Sequence, residues 1–196
     1  MQTETHPWQY FHPEDAETMI IGTFPPTKRN WSYDFFYPNK NNYFWKIMSR
    51  IAKHELQYFS GEPAVEERKR LLNQLKIGVS DMGKTIQRIA DNSSDGSLKI
   101  IEYMDIFKIL EENPSIRKII FTSSSGKSSA IYWFKDYLET KNIQYNIPKG
   151  KRPLRNYINI NKKEIEIVLL YSPSPRVTIP FDNLVELYKN EIKLST

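Results

Sequence analysis

Met19-Ile20-Ile21-Gly22-Thr23-Phe24-Pro25-Pro26 and Ile167-Val168-Leu169-Leu170-Tyr171-Ser172-Pro173-Ser174-Pro175-Arg176 follow one plan. Each is an apolar run too short for a helix that breaks into a loop of prolines and small residues, the pattern of a buried strand and its exit. In an open α/β sheet, ligands bind beyond the carboxyl ends of the strands. If the two strands lie close in the sheet, their exits face each other across a crevice, and function is expected there.

Working outward, Thr18 to Thr23 reads as the first buried strand. From Tyr43, the residues Phe44, Trp45, Ile47, Met48, Ile51, Leu56 and Phe59 fall on one face of a predicted helix. Between them, Pro25 to Asn42 has no period but carries Trp31, Tyr33, Phe35, Phe36 and Tyr37, so it is expected to line a site. Ala64 to Leu75 has helical spacing, and Gly78 to Met82 reads as a short turn before a further helix. Asp105 is suited to cap a helix through Leu110 that stops near Asn113-Pro114, and Lys118 to Thr122 is a second buried strand. The turn Ser123 to Ser129 opens a helix carrying Ile131, Trp133, Phe134, Tyr137 and Leu138. Ile143 to Ile147 is a candidate short strand. Tyr157 to Ile160 and Glu164 to Tyr171 alternate as a hairpin through Asn161-Lys162-Lys163, and Phe181 to Ile192 forms the last helix. The expected fold is α/β: a single domain, residues 1–196, arranged as a three-layer α/β/α sandwich with a short, mostly parallel central sheet.

Composition narrows the chemistry. The chain has 196 residues without a Pro/Gly/Ser-rich linker, which suits one core. It has no cysteine, which excludes disulfides, thiolate zinc sites, Cys-ligated clusters and a cysteine nucleophile. His6, His12 and His54 show no metal-ligand spacing, so no metal or other cofactor is assigned. The first residues lack the form of a secretory signal and no apolar stretch is long enough to span a bilayer, so a cytoplasmic protein is expected. The formal net charge is +5. Lys149, Lys151, Arg152, Arg155, Lys162 and Lys163 occur with no acid between them, which fits either a polyanionic partner or a solvated loop and hairpin turn.

Four segments in order resemble the uracil-DNA glycosylase superfamily, most nearly its mismatch-specific and hypoxanthine-removing branches, across nearly the whole chain. Gly22-Thr23-Phe24-Pro25-Pro26 is similar to the first motif, Phe35 to Trp45 to the aromatic loop ending in Asn-x-Phe-Trp, and Gly78-Val79-Ser80-Asp81-Met82 to the Gly-x-x-Asp turn. Ser172-Pro173-Ser174-Pro175-Arg176 is similar to the DNA-intercalation loop. The resemblance implies a monofunctional DNA glycosylase of base excision repair that acts on DNA carrying a deaminated base, uracil or hypoxanthine; a monomer is expected. It also exposes two departures. Phe24 stands where most of the superfamily has Asp or Asn, and Ser172 stands where other branches carry a histidine.

A glycosylase must flip a nucleotide and hold its base between flat surfaces. Phe36 or Tyr37 is expected to stack on the base with Phe24 as a second wall, and Gly22, Thr23 and Ser80 complete the expected pocket. The resemblance implies Asn42 as the catalytic residue; by its position it is equally suited to cap the helix that follows. Asp81 is the second catalytic candidate, with helix capping as its local alternative. Pro173 and Pro175 would stiffen a wedge whose Arg176 fills the vacated stack or meets a phosphate, while Ser124, Ser125 and Lys127 would meet phosphate at a helix start or merely cap it. Two rivals remain: a DNA-binding protein on the same fold that has lost catalysis, and an α/β protein binding nucleotides at the serine turn.

Overall fold

The computed structural model describes residues 2–90, 92, 94–122 and 126–192. Along the chain the elements are β1 (Gln2–Thr5), β2 (Thr18–Gly22), α1 (Phe44–Ala52), α2 (Gly61–Leu75), β3 (Ile77–Asp81), β4 (Gly83–Arg88), β5 (Leu98–Tyr103), α3 (Ile106–Glu112), β6 (Lys118–Phe121), α4 (Ala130–Thr140), β7 (Leu154–Ile160), β8 (Lys163–Leu169) and α5 (Phe181–Glu191). A five-stranded sheet runs in the order β3-β2-β6-β8-β7, parallel except for the edge strand β7. The expected mostly parallel α/β/α sandwich is the observed fold.

The two-residue period of a strand explains the layers. Ile20, Val79, Ile120 and Val168 point to one face and pack with Ile47, Leu72 and Leu184 from α1, α2 and α5. Met19, Ile21, Phe121, Ile167 and Leu169 point to the other, against α3 and α4. These strands are apolar on successive residues because both faces are covered. Burying each side chain of this size contributes about 1.5–3 kcal/mol before chain entropy is subtracted.

The predicted caps and turns hold locally. Asp105 Oδ1 accepts the Lys108 N–H at 3.3 Å, and Asn161 and Lys162 both take left-handed φ values of 52° and 63° to turn the β7–β8 hairpin.

Three expectations fail. The helix expected after Gly78 to Met82 is absent: that segment is β3 running into β4. Thr85 and Ile86 suit a strand, and β4 is paired on both sides in a second, antiparallel sheet ordered β1-β4-β5. The helix from Tyr43 ends at Ala52 instead of continuing to Phe59, because Lys53 adopts a left-handed φ of 53° and the His54 N–H closes on the Ser49 carbonyl at 3.0 Å. Ile143 to Ile147 forms no strand; Tyr145 in that segment packs against Phe134.

The small sheet is tied to the large one where the site forms. Met82 and Gly83 donate their N–H groups to the carbonyls of Gly22 and Thr23, each at 3.0 Å. Arg88, 5% exposed, grips Glu4 with two nitrogens and reaches the Pro25 carbonyl at 3.1 Å.

Candidate functional site

A cleft of about 780 Å³ opens at the carboxyl ends of β2, β3 and β6 and the loop beyond β8. Gly22 forms its floor. A Cβ there would collide with Asp81 Oδ1 and lie 3.3 Å from the Tyr37 hydroxyl, so the absence of a side chain at Gly22 leaves room for both polar groups.

Asp81 ends β3 and is 7% exposed. Its Oδ2 lies 3.0 Å from His6 Nε2. Its Oδ1 has no hydrogen-bond partner among the described residues. The helix-cap alternative fails, since strand β4 follows.

Tyr37 holds φ at 49°, an uncommon conformation for a bulky residue, and the Tyr33 hydroxyl donates to its carbonyl at 2.9 Å. Its ring stacks on Phe44 at 3.8 Å and 11°, while its hydroxyl bonds to Thr122 Oγ1 at 2.9 Å. Burial first, and the negative charge of Asp81 second, push the Tyr37 pKa well above the usual phenol value, so the hydroxyl stays protonated.

Asn42 precedes Tyr43, the N-cap of α1, and lines the cleft. Its Oδ1 accepts the Phe44 N–H at 2.8 Å, which fixes the amide's orientation and leaves Nδ2 as a donor without a partner among the described residues. The neighbouring Tyr43 N–H donates to the Pro173 carbonyl at 2.7 Å. This bond fastens the aromatic loop to the loop after β8, bringing together two segments more than a hundred residues apart in sequence. Pro173 is buried as the anchor, Ser174 Oγ accepts the Arg176 N–H at 3.2 Å, and Ser172, Pro175 and Arg176 stand exposed at the rim.

Phe24 lines the cleft, but its ring leans edge-on against His6 at 5.4 Å, so it brings no polar group to the floor. The amide N–H groups of Thr23 and Phe24 have no acceptor among the described residues. Thr23 Oγ1 donates to Asp95 Oδ2 at 3.1 Å, placing a second carboxylate on the cleft wall.

The structure therefore gathers Gly22, Thr23, Phe24, Tyr37, Asn42, Asp81 and Ser172 to Arg176 around one cleft. Phe36 and Ser80 are corrections to the expected pocket. Phe36 is 1% exposed and packs on His6, Trp8 and Phe35, because its side chain turns inward as that of Tyr37 faces the cleft. Ser80 is fully buried with its hydroxyl on the Asp81 carbonyl at 3.3 Å, since alternate strand residues point to opposite faces. Lys127 is exposed in the turn before α4 and does not line the cleft; Ser124 and Ser125 lie outside the described residues.

The basic run divides. Arg152 lines the cleft and lies over the Tyr171 ring at 5.3 Å. Arg155 is neutralised by Glu166 and Glu191. Lys162 and Lys163 sit at the hairpin tip, at the opposite end of the sheet, because β7 runs away from the cleft.

Sequence reasoning missed His6, Asp95, Thr122, Arg152 and Tyr171 as parts of this site. His6 and Asp95 reach it from the small sheet and its loop, which had not been foreseen. Thr122 and Tyr171 were visible as the residues leaving apolar strands. Among the described residues, no cluster of three or more His, Cys, Asp or Glu side chains could hold a metal ion, and no helix is long and apolar enough to cross a membrane.

Neither a protein-family model nor a curated protein sequence matches this chain. Among solved structures, the solution structure of a candidate uracil DNA glycosylase from Methanosarcina acetivorans matches with a TM-score of 0.60 and 18% sequence identity, covering 96% of this chain and 96% of that one. At this identity the likeness is one of fold, and it extends over nearly the full length of both proteins.

Proposed function

We propose that this protein is a monofunctional DNA glycosylase that hydrolyses the N-glycosidic bond of a deaminated base, uracil or hypoxanthine, in base excision repair. The observation that carries the reading is the 2.7 Å bond from Tyr43 to Pro173, which joins an aromatic, amide-lined cleft to an exposed Pro-Arg rim. A base pocket beside a wedge is what base extrusion requires.

In this reading the rim loop enters the duplex and Arg176 fills the vacated stack or pairs with a phosphate. The extruded base lies on Tyr37, whose ring lines the cleft and is backed by Phe44. Asp81 Oδ1 accepts a lactam N–H, a group that uracil and hypoxanthine share. As the bond from C1′ to the base nitrogen breaks, its electron pair passes to the base and positive character grows on the sugar. The Asn42 Nδ2 and the amides of Thr23 and Phe24 are the donors available to that developing negative charge, and water adds at C1′ to complete the hydrolysis. Asn42 holds that water by its amide; no covalent intermediate is required.

Phe24 and Ser172 favour a second reading, a DNA-binding protein on this fold without catalysis, because neither supplies the polar group the resemblance leads one to expect. Single-turnover cleavage of oligonucleotides with uracil or hypoxanthine opposite each normal base, developed with alkali, separates the two. The glycosylase reading expects alkali-sensitive products from wild type and none from a folded Asn42→Ala. Salt-sensitive DNA binding without any product would establish the second reading instead. Arg176→Ala should weaken DNA binding several-fold and flatten the slope of log affinity against log salt by about 0.9.

A further inference from the structure

His6 does not touch the cleft, yet it is the side chain on which the Asp81 carboxylate depends. It follows directly on β1, whose pairing with β4 continues into the His6 N–H to Lys84 carbonyl bond at 2.7 Å. Its side chain is 1% exposed. Trp8, Phe24 and Phe36 surround the ring at centroid distances of 5.6, 5.4 and 5.6 Å.

Both ring nitrogens meet acceptors. Nδ1 lies 2.7 Å from the Trp8 carbonyl oxygen, a separation that requires a proton between them, so Nδ1–H is the donor and the longer 3.2 Å approach of the Trp8 N–H is secondary. Nε2 lies 3.0 Å from Asp81 Oδ2. One further proton therefore lies between His6 and Asp81. Placed on Nε2, it makes the pair an imidazolium and a carboxylate, the ion pair that the 3.0 Å separation accommodates.

The consequence falls on the leaving group. An isolated carboxylate on the floor would repel the negative charge that develops on a departing base. Paired with an imidazolium, the floor has no net charge but keeps Oδ1 as an acceptor aimed over Gly22. We propose that His6 is a positioning residue that holds Asp81 through Oδ2 and neutralises it, so that Oδ1 selects bases carrying a lactam N–H without opposing their departure. This rests on the glycosylase reading above, and it assigns the floor its own charge-compensating partner.

The test compares wild type with His6→Gln, Asp81→Asn and the double variant, all as the full chain. Nitrogen-15 shifts of the imidazole ring should show a doubly protonated His6 in wild type that is altered in Asp81→Asn. In single-turnover cleavage at saturating DNA, His6→Gln should lower the rate on the order of 100-fold while leaving DNA affinity unchanged. With Asn at position 81 the floor is already neutral, so adding His6→Gln there should change the rate by less than about threefold. Equal losses in both backgrounds would overturn the proposal, since a merely structural role predicts them. If His6→Gln does not fold, the nitrogen-15 comparison of wild type with Asp81→Asn still decides: a neutral ring with unprotonated Nε2 overturns the proposal whether or not the protein cleaves DNA. A doubly protonated His6 in a wild type that cleaves no substrate overturns the glycosylase reading, and the catalytic part of this proposal with it.

Discussion

Glu67 and Asp81 are both buried carboxylates, and each lies 3.0 Å from a histidine Nε2, of His54 and His6 respectively. Around Glu67 both oxygens are consumed. Oε1 accepts the Gln57 N–H at 2.8 Å and faces His54, while Oε2 accepts from Arg68 Nη1 at 2.5 Å and the Tyr58 N–H at 3.2 Å. That arrangement fastens the segment after α1 to α2 and leaves nothing to offer a ligand. Around Asp81 one oxygen is held and the other faces a cleft. The histidines differ in the same sense: His54 is 42% exposed and His6 1%. A saturated carboxylate holds the fold together, whereas a half-satisfied one over a glycine floor is available for chemistry.

Glu67→Gln should produce the largest change in stability. It leaves the Arg68 guanidinium, 2% exposed, without its carboxylate, and breaking a buried pair in this way costs about 3–5 kcal/mol. Denaturant unfolding checks this, and the folded fraction should cleave at the wild-type rate. Gly22→Ala should do the reverse. Its new methyl displaces Asp81 Oδ1 and should slow cleavage by about 100-fold, with a much smaller loss of stability.

A pH titration sharpens the contrast. Burial alone would raise the Glu67 pKa, but the hydrogen bonds from Gln57, His54 and Tyr58 and the charge of Arg68 outweigh it, and the net direction is down. A carboxylate whose folded pKa lies below its unfolded value adds stability above the unfolded value, about 4.3, and loses it as pH falls through the folded one. Wild-type stability should therefore decline below about pH 4, and Glu67→Gln should lack that part of the decline. The smallest effect belongs to His54→Gln, a partly exposed partner worth under about 1 kcal/mol, with cleavage unchanged. A large catalytic loss there would break the distinction between the two histidine pairs.

The architecture was legible because it rests on strong local signals. Ile20, Ile120 and Val168 lie in continuous apolar runs that only a doubly covered strand accommodates, and Asn161-Lys162 lies where a hairpin must turn. The small sheet was not legible. Gln2–Thr5 is exposed and polar, and Gly83–Arg88 has Ile86 as its one apolar side chain, so both become strands through pairing that neither sequence announces. The same gap concealed His6, which reaches Asp81 across 75 positions of sequence. Phe36 and Tyr37 were indistinguishable as aromatic neighbours, and the left-handed backbone at Tyr37 decides which of them faces the cleft. The loops after β2 and β8 were readable as exits, but the bond joining Tyr43 to Pro173 is a product of folding alone.

The most direct test of the account is a crystal structure of the protein with duplex DNA carrying a non-hydrolysable 2′-fluorinated deoxyinosine. The account predicts the flipped hypoxanthine stacked on Tyr37 with its N1–H on Asp81 Oδ1, and Pro175 and Arg176 at the vacated position. DNA bound on another face, or a base extruded away from the Gly22 floor, would contradict it.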